Sequence, residues 1–245
     1  MTPPRPDGRF TDGLTGPTSN SEVYEHPDDG RMAALRRVHA NYLVVEDLYP
    51  GVARRFIDVG ISRFLELGGG RGPIAALLGA DGIETCVVDR DARMVSEMYR
   101  PGVRADITML PLADDCVDGA AAVNCLYFVT DPRVALREAK RVLAPGSLFL
   151  ASAPSRWNDP ELEGVDPRWG AASTFDAEDA PALVADVFGS VEVERWRVPA
   201  YVLPDASAVA DYFHAFDVRD WRDMTPTLEP PLTITKVGAH VWARA

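Results

Sequence analysis

The stretch FLELGGGRGPIA at residues 64–75 constrains this chain more than any other feature. An apolar run containing Glu66 passes into three alternating glycines, Gly68, Gly70 and Gly72, and a helix pattern follows at once. A buried strand that turns through glycines into a helix is the opening unit of a parallel α/β sheet, and glycines let a ligand approach bare backbone. The stretch therefore predicts an α/β fold with a ligand at the carboxyl end of its first strand.

The same strand-then-helix pattern repeats along the middle of the chain. Near-continuous apolar runs, typical of strands covered on both faces, occupy residues 61–67, 84–89, 102–107, 117–129 and 146–154. Helix patterns separate them at 73–80, 91–100 and 132–143, the last with Asp131 as its N-cap and Pro132 in its first turn. Strands alternating with helices at this spacing predict right-handed crossovers and a doubly wound sheet.

The last third of the chain has a different pattern. A capped helix is predicted at 173–189 with Asp176 as N-cap, then an alternating strand at 191–198. A second helix at 206–216 precedes a final strand at 234–245, so these two strands form a predicted antiparallel pair. We predict a Rossmann-like, doubly wound seven-stranded sheet, mostly parallel with an antiparallel edge strand and with helices on both faces.

The residues before the first strand are predicted as a flexible tail, 1–20, and a helix, 31–49, ended by Pro50-Gly51. The predicted buried face of this helix consists of Met32, Leu35, His39, Tyr42, Val45 and Tyr49.

Composition and charge narrow the possible functions. The net charge of −12 argues against a protein that binds by neutralising phosphates. The three cysteines show no CxxC spacing, so we predict buried reduced thiols in a cytoplasmic protein and no metal site. No run of about 18 apolar residues and no signal-peptide pattern is visible, so we expect no membrane partner.

Three kinds of ligand compete for the glycine loop. A P-loop requires a lysine that this loop lacks. A dinucleotide fingerprint requires glycine three residues after Gly70, where this chain has Pro73. The remaining pattern, a carboxylate followed by alternating glycines, suits a cation better than a phosphate.

This pattern, Glu66-x-Gly68-x-Gly70-x-Gly72, closely resembles the first motif of class I S-adenosylmethionine-dependent methyltransferases. Three further elements occur in the order that the family has: Asp89 at the end of the second strand, Asp106 after the third, and RVLAPGSLFL entering the fifth. The resemblance covers about residues 61 to 153 and weakens towards both ends. The stretch 173–196 is similar to bacterial small-molecule methyltransferases of the broad "type 11" group, which does not identify a substrate.

The resemblance implies a donor site for S-adenosyl-L-methionine, with S-adenosyl-L-homocysteine as product. Its expected residues are Glu66, Gly68, Gly70, Gly72, Asp89, Arg90, Asp106, Ile107, Asn124 and Tyr24. Asp89 would accept from the ribose hydroxyls, Asp106 would face the adenine amino group and Ile107 would pack on the ring. Asn124 would hold the donor's amino group, or would be only a turn residue at the end of a strand. Tyr24 precedes the first helix, where family members often close a lid on the donor.

Candidate catalytic residues are His214, Tyr127 and His39. His214 is our choice for a base and Tyr127 would face the acceptor, although an aromatic ring packed on the sheet explains Tyr127 equally well. His39 fits a buried core histidine better than a catalytic one. The late aromatic residues, among them Trp157 and Trp169, are expected to contribute to an apolar acceptor pocket.

The expected function is methyl transfer to an oxygen, nitrogen or carbon atom of a small molecule, in secondary metabolism. The alternatives are a donor-binding relative without catalysis and a methyltransferase acting on RNA or protein. The stretch after the fourth strand is NCLY, without the prolines of amino-methylating DNA enzymes, and so argues against nucleic acid. We expect a monomer or homodimer with one domain at 21–245, divided into lid helices (21–60), donor-binding core (61–153) and acceptor-side half (154–245).

Overall fold

The computed structural model describes residues 30–46, 48–97, 101–218 and 228–245. The predicted tail at 1–20 and the predicted donor residue Tyr24 lie outside these residues.

Within the described residues, seven strands form one sheet. They are β1 Arg63–Leu67, β2 Glu84–Asp89, β3 Gly102–Arg104, β4 Val117–Val123, β5 Leu143–Pro154, β6 Val191–Leu203 and β7 Leu232–Arg244. Their order across the sheet is β3-β2-β1-β4-β5-β7-β6. Strands β1 to β5 are parallel, and β7 runs antiparallel to both of its neighbours. The predicted fold class is therefore confirmed, including the antiparallel pairing of the two late strands at one edge.

Helices cover both faces of the sheet. They are α1 Arg31–Tyr42, α2 Leu48–Val59, α3 Pro73–Ala80, α4 Ala92–Glu97, α5 Pro132–Val142, α6 Ala180–Phe188 and α7 Ala206–Ala215. On one face α2 and α3 pack on the sheet, where Phe56 meets Phe64 edge-on with ring centroids 4.9 Å apart. On the other face α5 and α6 enclose a second core, in which Phe188 stacks on Phe149 at 4.7 Å.

Strand order reverses between β1 and β4, which are neighbours although β2 and β3 lie between them in sequence. In open α/β sheets, ligands bind at such a reversal, beyond the carboxyl ends of the strands. The glycine loop that follows β1 lies at this point, so the topology places the candidate site at the carboxyl edge of the sheet.

A third cluster of apolar side chains lies beyond that edge. β5 ends at Pro154, opposite Gly238 of β7, but the β6–β7 pair continues past this level through residues 197–203 and 232–237. Helices α1 and α7 pack on this overhang, where Val38 and Tyr212 are fully buried in one cluster with Tyr201. We call the overhang with α1 and α7 the cap.

The predicted helix at 31–49 is wrong in its extent. Of its predicted buried face, Tyr42 and Val45 pack half-buried against the cluster of the overhang, whereas His39 is exposed. The structure has two helices, and Pro50-Gly51 lies in the first turn of α2 instead of ending α1. Proline is tolerated there because the first amides of a helix have no intrahelical partner. Among the described side chains of α1, Ala34 and Val38 are fully buried, and Val38 packs in one cluster with Tyr212 of α7.

Strand ends also differ from the prediction. β3 stops at Arg104 and β4 at Val123, so the stretch 126–128 forms a short 3-10 turn instead of strand. The helix predicted at 173–189 is shorter, and its predicted N-cap, Asp176, is wrong, because the N-cap of α6 is Asp179. Asp176 accepts from the Asp179 amide at 3.1 Å in a turn that leads into α6, which begins at Ala180.

Candidate active site

The glycine loop after β1 is packed against other side chains at Gly68 and is open at Gly70, on what we call its upper side. Gly68 and Gly70 have φ of +57° and +56°, a left-handed conformation that favours glycine. A Cβ on Gly68 would lie 2.6 Å from the Cβ of Cys125, because that side chain fills the space under the loop. Within the described parts of the chain, a Cβ on Gly70 would meet only the Met94 sulfur, at 3.8 Å. A ligand can therefore approach the backbone at Gly70 but not at Gly68.

Glu66 lies directly beneath this loop. Its carboxylate accepts from the amides of Ala75 at 2.7 Å and Ile74 at 3.4 Å, and so joins β1 to the first turn of α3. A Cβ on Gly69 would lie only 2.6 Å from the Glu66 Cγ. The residue is 2 % exposed, and this burial raises the pKa of its carboxyl to about 7, despite the two amides that lower it.

Asp89 connects the end of β2 to the glycine loop. One of its carboxylate oxygens accepts from the Gly70 amide at 2.9 Å, and the other accepts from the Asp91 amide at 2.9 Å. The predicted residue Arg90 follows, and its carbonyl accepts from the Arg104 guanidinium at 3.2 Å. The half-buried Asp89 carboxylate thus lies beside the open part of the loop, held from two sides.

Asp106 and Ile107 follow β3 at the same edge. One Asp106 oxygen accepts from the amide and the hydroxyl of Thr108, at 2.8 and 2.7 Å, which fixes the carboxylate in a tight turn. Ile107 belongs to the core on the α5–α6 side of the sheet. The structure therefore gathers Glu66, the glycines, Asp89 and Asp106 along one edge, at the ends of three adjacent strands.

The end of β4 supplies exposed groups next to the loop. Asn124 is exposed and has a φ of +52°, and its amide donates to the Ser152 carbonyl at 3.0 Å. Cys125 turns inward and donates its thiol to the Leu67 carbonyl at 3.2 Å. Burial raises the pKa of this thiol, so Cys125 is a protonated packing group. Tyr127 and Phe128 follow in the 3-10 turn, with ring centroids 4.6 Å apart.

The candidate catalytic residues lie on three separate elements. Tyr127 follows β4, whereas His39 lies in α1 and His214 in α7. The interpretation of His39 as a core histidine is wrong, because His39 is exposed and its ring stacks on Tyr201 at 5.8 Å. His214 is half-buried with its Nε2 3.7 Å from where a Cβ on Gly30 would be, at the α1–α7 contact.

Sequence reasoning missed a buried charged cluster in the cap. Asp159 accepts from the Tyr212 hydroxyl at 2.9 Å, and the Lys236 ammonium lies 2.8 Å from one of its oxygens and 3.0 Å from the other. The ammonium also lies 3.8 Å from the Phe216 ring centroid. Burial lowers the pKa of Lys236, while Asp159 opposes that shift. No local sequence pattern indicates this cluster, because Asp159 lies 53 residues from Tyr212 and 77 residues from Lys236.

A second missed pair lies between β5 and β7. The His240 Nδ1 and the Ser152 hydroxyl are 2.9 Å apart and both side chains are buried. Burial lowers the pKa of His240, which favours the neutral ring. The Ser152 carbonyl is the group that receives the Asn124 amide, so this pair lies immediately behind the end of β4.

Other parts of the described chain do not compete with this edge. A shallow pocket of about 210 Å³ lies at the opposite edge, among residues such as Gly60, Asp118 and Ser147, at the amino ends of the strands. Among the described residues, no group of three His, Cys, Asp or Glu side chains is arranged to hold a metal ion. In the same residues, no helix has the length and apolar character needed to cross a membrane.

Comparisons with known proteins agree with this geometry. A family model described as "Methyltransferase domain" matches residues 65–151. The chain is 33% identical over 182 residues to the ubiquinone/menaquinone biosynthesis C-methyltransferase UbiE of Rubrivivax gelatinosus, over 63% of this chain and 72% of that protein.

Solved structures show the same fold at low sequence identity. The YcgJ protein of Bacillus subtilis superposes with a TM-score of 0.58 at 18% identity, over 80% of this chain and 97% of that one. The [4+2]-cyclase SpnF superposes with a TM-score of 0.54 at 18% identity, over 87% of this chain and 92% of that one. Because one of these is described as a cyclase, likeness of fold alone does not identify a reaction.

Proposed function

Since the chain belongs to the class I S-adenosylmethionine-dependent methyltransferases, we propose that its glycine loop binds the methyl donor and that a small-molecule acceptor binds beside it. The observation that carries this proposal is the open upper side of the loop at Gly70, with the Asp89 carboxylate held against the loop by the Gly70 amide.

The residues at this edge fit S-adenosylmethionine better than a phosphate ligand. The donor carries an ammonium and a sulfonium and no phosphate, and three carboxylates, Glu66, Asp89 and Asp106, lie at or under the edge. We propose that Asp89 accepts from the ribose hydroxyls. Each of its oxygens already accepts one backbone amide and retains a lone pair for a second hydrogen bond.

Asp106 and Asn124 are proposed to hold the two ends of the donor. The Asp106 oxygen outside the Thr108 turn would accept from the adenine amino group, and the exposed Asn124 carbonyl would accept from the ammonium. Arg90 and Ile107 complete the proposed set, and Tyr24 stays a prediction. These side chains orient the donor and contribute no proton to the reaction.

The donor would supply an electrophilic methyl carbon whose bond to sulfur breaks, with its electron pair going to sulfur, as an electron pair of the acceptor's oxygen, nitrogen or carbon atom forms the new bond. The chain's residues have only to align the two molecules and exclude water. We propose that Tyr127 faces the acceptor. We retain His39 and His214 in the cap as candidate bases, needed only when the acceptor arrives protonated.

A small acceptor is supported by two observations. The relative from Rubrivivax gelatinosus is named as a C-methyltransferase of ubiquinone/menaquinone biosynthesis, so a small molecule is the acceptor class that its name implies. The net charge of −12 also disfavours a nucleic acid. We further propose a cytoplasmic location, because Cys86 and Cys125 are free and buried.

Calorimetric titration with S-adenosylmethionine, S-adenosylhomocysteine and NAD tests the proposal. We expect the first two to bind and NAD not to bind. Asp89→Ala should weaken donor binding about tenfold or more, since it removes two charge-assisted hydrogen bonds. Asp81→Ala, at the exposed end of α3, is the matched control and should leave affinity unchanged. Equal donor affinity in the Asp89 variant would refute the proposed contact of Asp89 with the ribose. Binding of NAD would refute the proposal that the loop is specific for S-adenosylmethionine.

A further inference from the structure

The glycine loop and the turn after β4 meet where β1 and β4 stop pairing, at Leu67 and Ala122. Gly68 begins the loop just beyond this level, and Asn124 follows the end of β4. We call this place the loop–turn junction. Because Asn124 is proposed to accept from the donor's ammonium, any role of the junction in donor binding rests on the proposed function.

The backbone at Asn124 points two neighbouring side chains in different directions. Its φ of +52° is left-handed, a conformation that asparagine adopts more readily than most residues. The Asn124 side chain is exposed, whereas the next residue, Cys125, is 7 % exposed. The Asn124 amide donates to the Ser152 carbonyl at 3.0 Å, which ties the turn to β5. A residue proposed to bind the ligand is thus followed directly by one that packs inside the protein.

Cys125 contacts the glycine loop from within. Its thiol donates to the Leu67 carbonyl at 3.2 Å, and a Cβ on Gly68 would lie 2.6 Å from the Cys125 Cβ and 2.9 Å from its Sγ. The side chain and the loop backbone are therefore in close contact, with no space for a further atom. On the side of β2, the Val88 carbonyl accepts from the Gly68 amide at 2.8 Å. Gly68 is thus fixed between β2 and Cys125.

The groups proposed to bind the ribose and the adenine have contacts of their own. Asp89 accepts from the Asp91 amide at 2.9 Å, and Asp106 accepts from the Thr108 amide at 2.8 Å. They follow β2 and β3, whereas Cys125 follows β4 on the other side of β1. A change at Cys125 should therefore move the loop relative to Asn124 and leave these two carboxylates in place.

We propose that Cys125 is a positioning residue that sets the distance between the glycine loop and Asn124, and so determines how tightly the amino-acid end of the donor is bound. The side chain acts from inside the protein, through Gly68 and through its neighbour Asn124. Burial raises the pKa of the thiol, so it stays protonated and remains a donor to the Leu67 carbonyl.

Calorimetric titration with two ligands tests this role. S-adenosylhomocysteine and 5′-methylthioadenosine share the nucleoside and the sulfur, but only the first carries the amino-acid end. Cys125→Ala should raise the dissociation constant of S-adenosylhomocysteine about 3- to 10-fold, as expected when a charged hydrogen bond is weakened but not lost. Its affinity for 5′-methylthioadenosine should stay within about twofold of the wild type.

Two other substitutions at the same position sharpen the test. Cys125→Ser keeps a donor for the Leu67 carbonyl, so it should bind S-adenosylhomocysteine more nearly as the wild type does. Cys125→Val crowds Gly68 instead of leaving a gap, and it should weaken S-adenosylhomocysteine selectively, as Cys125→Ala does. Either the alanine or the valine variant is sufficient for the comparison of the two ligands.

Cys86→Ala is the matched control. Cys86 lies in β2, is buried in the same apolar core as Cys125, and has its Sγ 3.9 Å from the Val87 carbonyl of its own strand. Urea unfolding should show a similar loss of stability in the two alanine variants, because each removes one buried thiol. Cys86→Ala should nevertheless bind both ligands as the wild type does.

Three results would overturn this inference: normal binding of S-adenosylhomocysteine by the alanine and valine variants, equal weakening of both ligands in them, or equal weakening in Cys86→Ala. Each of these leaves the proposed function in place as long as the wild type binds S-adenosylhomocysteine. If the wild type does not bind it, the proposed function is refuted and the role of Cys125 with it.

Discussion

The carboxyl edge of the sheet and the cap are held together by different kinds of contact. We call the part of this edge that carries the glycine loop, Asp89 and Asp106 the donor edge, because we propose that the donor binds there. At the donor edge, each carboxylate is fixed by backbone amides close in sequence: Glu66 by residues 74 and 75, Asp106 by Thr108, and Asp89 by Gly70 and Asp91. In the cap, side chains bind side chains far away, as Arg37 does with Asp211, 174 positions later. Short-range backbone contacts make the donor edge independent of the cap, whereas the cap exists only once the whole chain has folded.

The two regions also differ in what they expose. The donor edge leaves the backbone of the loop open at Gly70, and so depends on a residue without a side chain. The cap buries the Lys236–Asp159 pair under aromatic rings. A defect in the cap should therefore reduce stability alone, while a defect at the donor edge should reduce donor affinity as well. Four variants test this separation.

The largest effect is expected for Lys236→Met. It leaves the buried Asp159 carboxylate with only the Tyr212 hydroxyl, and breaking a buried ion pair costs about 3–5 kcal/mol. Urea unfolding should show this loss, and calorimetry below the transition should show unchanged donor affinity. Adding Asp159→Asn should recover most of the stability, because asparagine tolerates the left-handed φ of +54° at this position. If donor affinity fell in step with stability, the two regions would not be independent.

The second effect is a pH dependence that arises at the donor edge. Burial raises the pKa of Glu66 from 4.5 to about 7, so the folded protein binds this proton more tightly than the unfolded chain. The stability from Glu66 is therefore fully present below about pH 4.5 and is lost as the pH rises to about 7, by about 3 kcal/mol at most. Urea unfolding across this window should show the decline in the wild type, and Glu66→Gln should remove that part of it.

Donor affinity should also depend on the ionisation of Glu66, but it should rise over the pH range in which stability falls. A cationic donor favours the ionised carboxylate, so wild-type affinity should rise as the pH passes through about 7 and should be flatter in Glu66→Gln. Glu163→Gln, at an exposed position, is the control for both measurements. An unchanged pH profile in Glu66→Gln would mean that another group titrates.

The third expected effect is a loss of donor affinity at the end of the site where we propose that the adenine binds. Asp106→Asn keeps an oxygen to accept from Thr108 but places an amide NH₂ where we propose that the adenine amino group donates. Loss of a charged hydrogen bond costs about 1.5–3 kcal/mol, so the donor dissociation constant should rise about tenfold or more. Asp115→Asn, at an exposed position after the same strand, should bind the donor normally. Normal donor binding by Asp106→Asn would show that Asp106 does not bind the adenine amino group.

The smallest expected effect is that of Gly70→Ala, which is compared with Gly82→Ala to separate the cost of backbone strain from the blocking of the ligand. Gly70→Ala and Gly82→Ala both place a methyl group at a left-handed φ, of +56° and +81°, which costs about 1–2 kcal/mol of stability in either case. Only the first should weaken donor binding, since Gly82 lies in open space at the α3–β2 turn. Equal donor affinity in the two variants would show that the donor does not approach the loop at Gly70.

The positions of the groups along the donor edge could be predicted from the sequence, because each group follows directly from a strand. Asp89 lies at this edge because β2 ends there, and β2 is an apolar run that is easily recognised. Pro50 misled the prediction, because a proline that ends one helix and a proline that begins the next look alike in sequence. The burial of His39 was predicted wrongly because α1 buries its small residues, Ala34 and Val38, and leaves His39 exposed.

The cap could not be predicted for a physical reason. Its stability comes from pairs such as Asp159 with Tyr212 and Lys236, which are brought together only by the antiparallel overhang of β6 and β7. Nothing in the immediate sequence of Lys236 distinguishes it from a surface lysine in an exposed strand. The same holds for His240 and Ser152, which become partners through register between strands 88 residues apart.

The overhang also sets the distance between the carboxyl edge of the sheet and the helices of the cap. Six residues of β7, 232–237, stand above the level at which β5 stops, which at about 3.3 Å per residue is about 20 Å. Because side chains alternate along a strand, adding or removing residues in pairs would move α1 and α7 by about 7 Å while every side chain kept its face. The length of the β6–β7 pair thus sets how far α1 and α7 stand from the level at which β5 ends, and the glycine loop need not change when that length does.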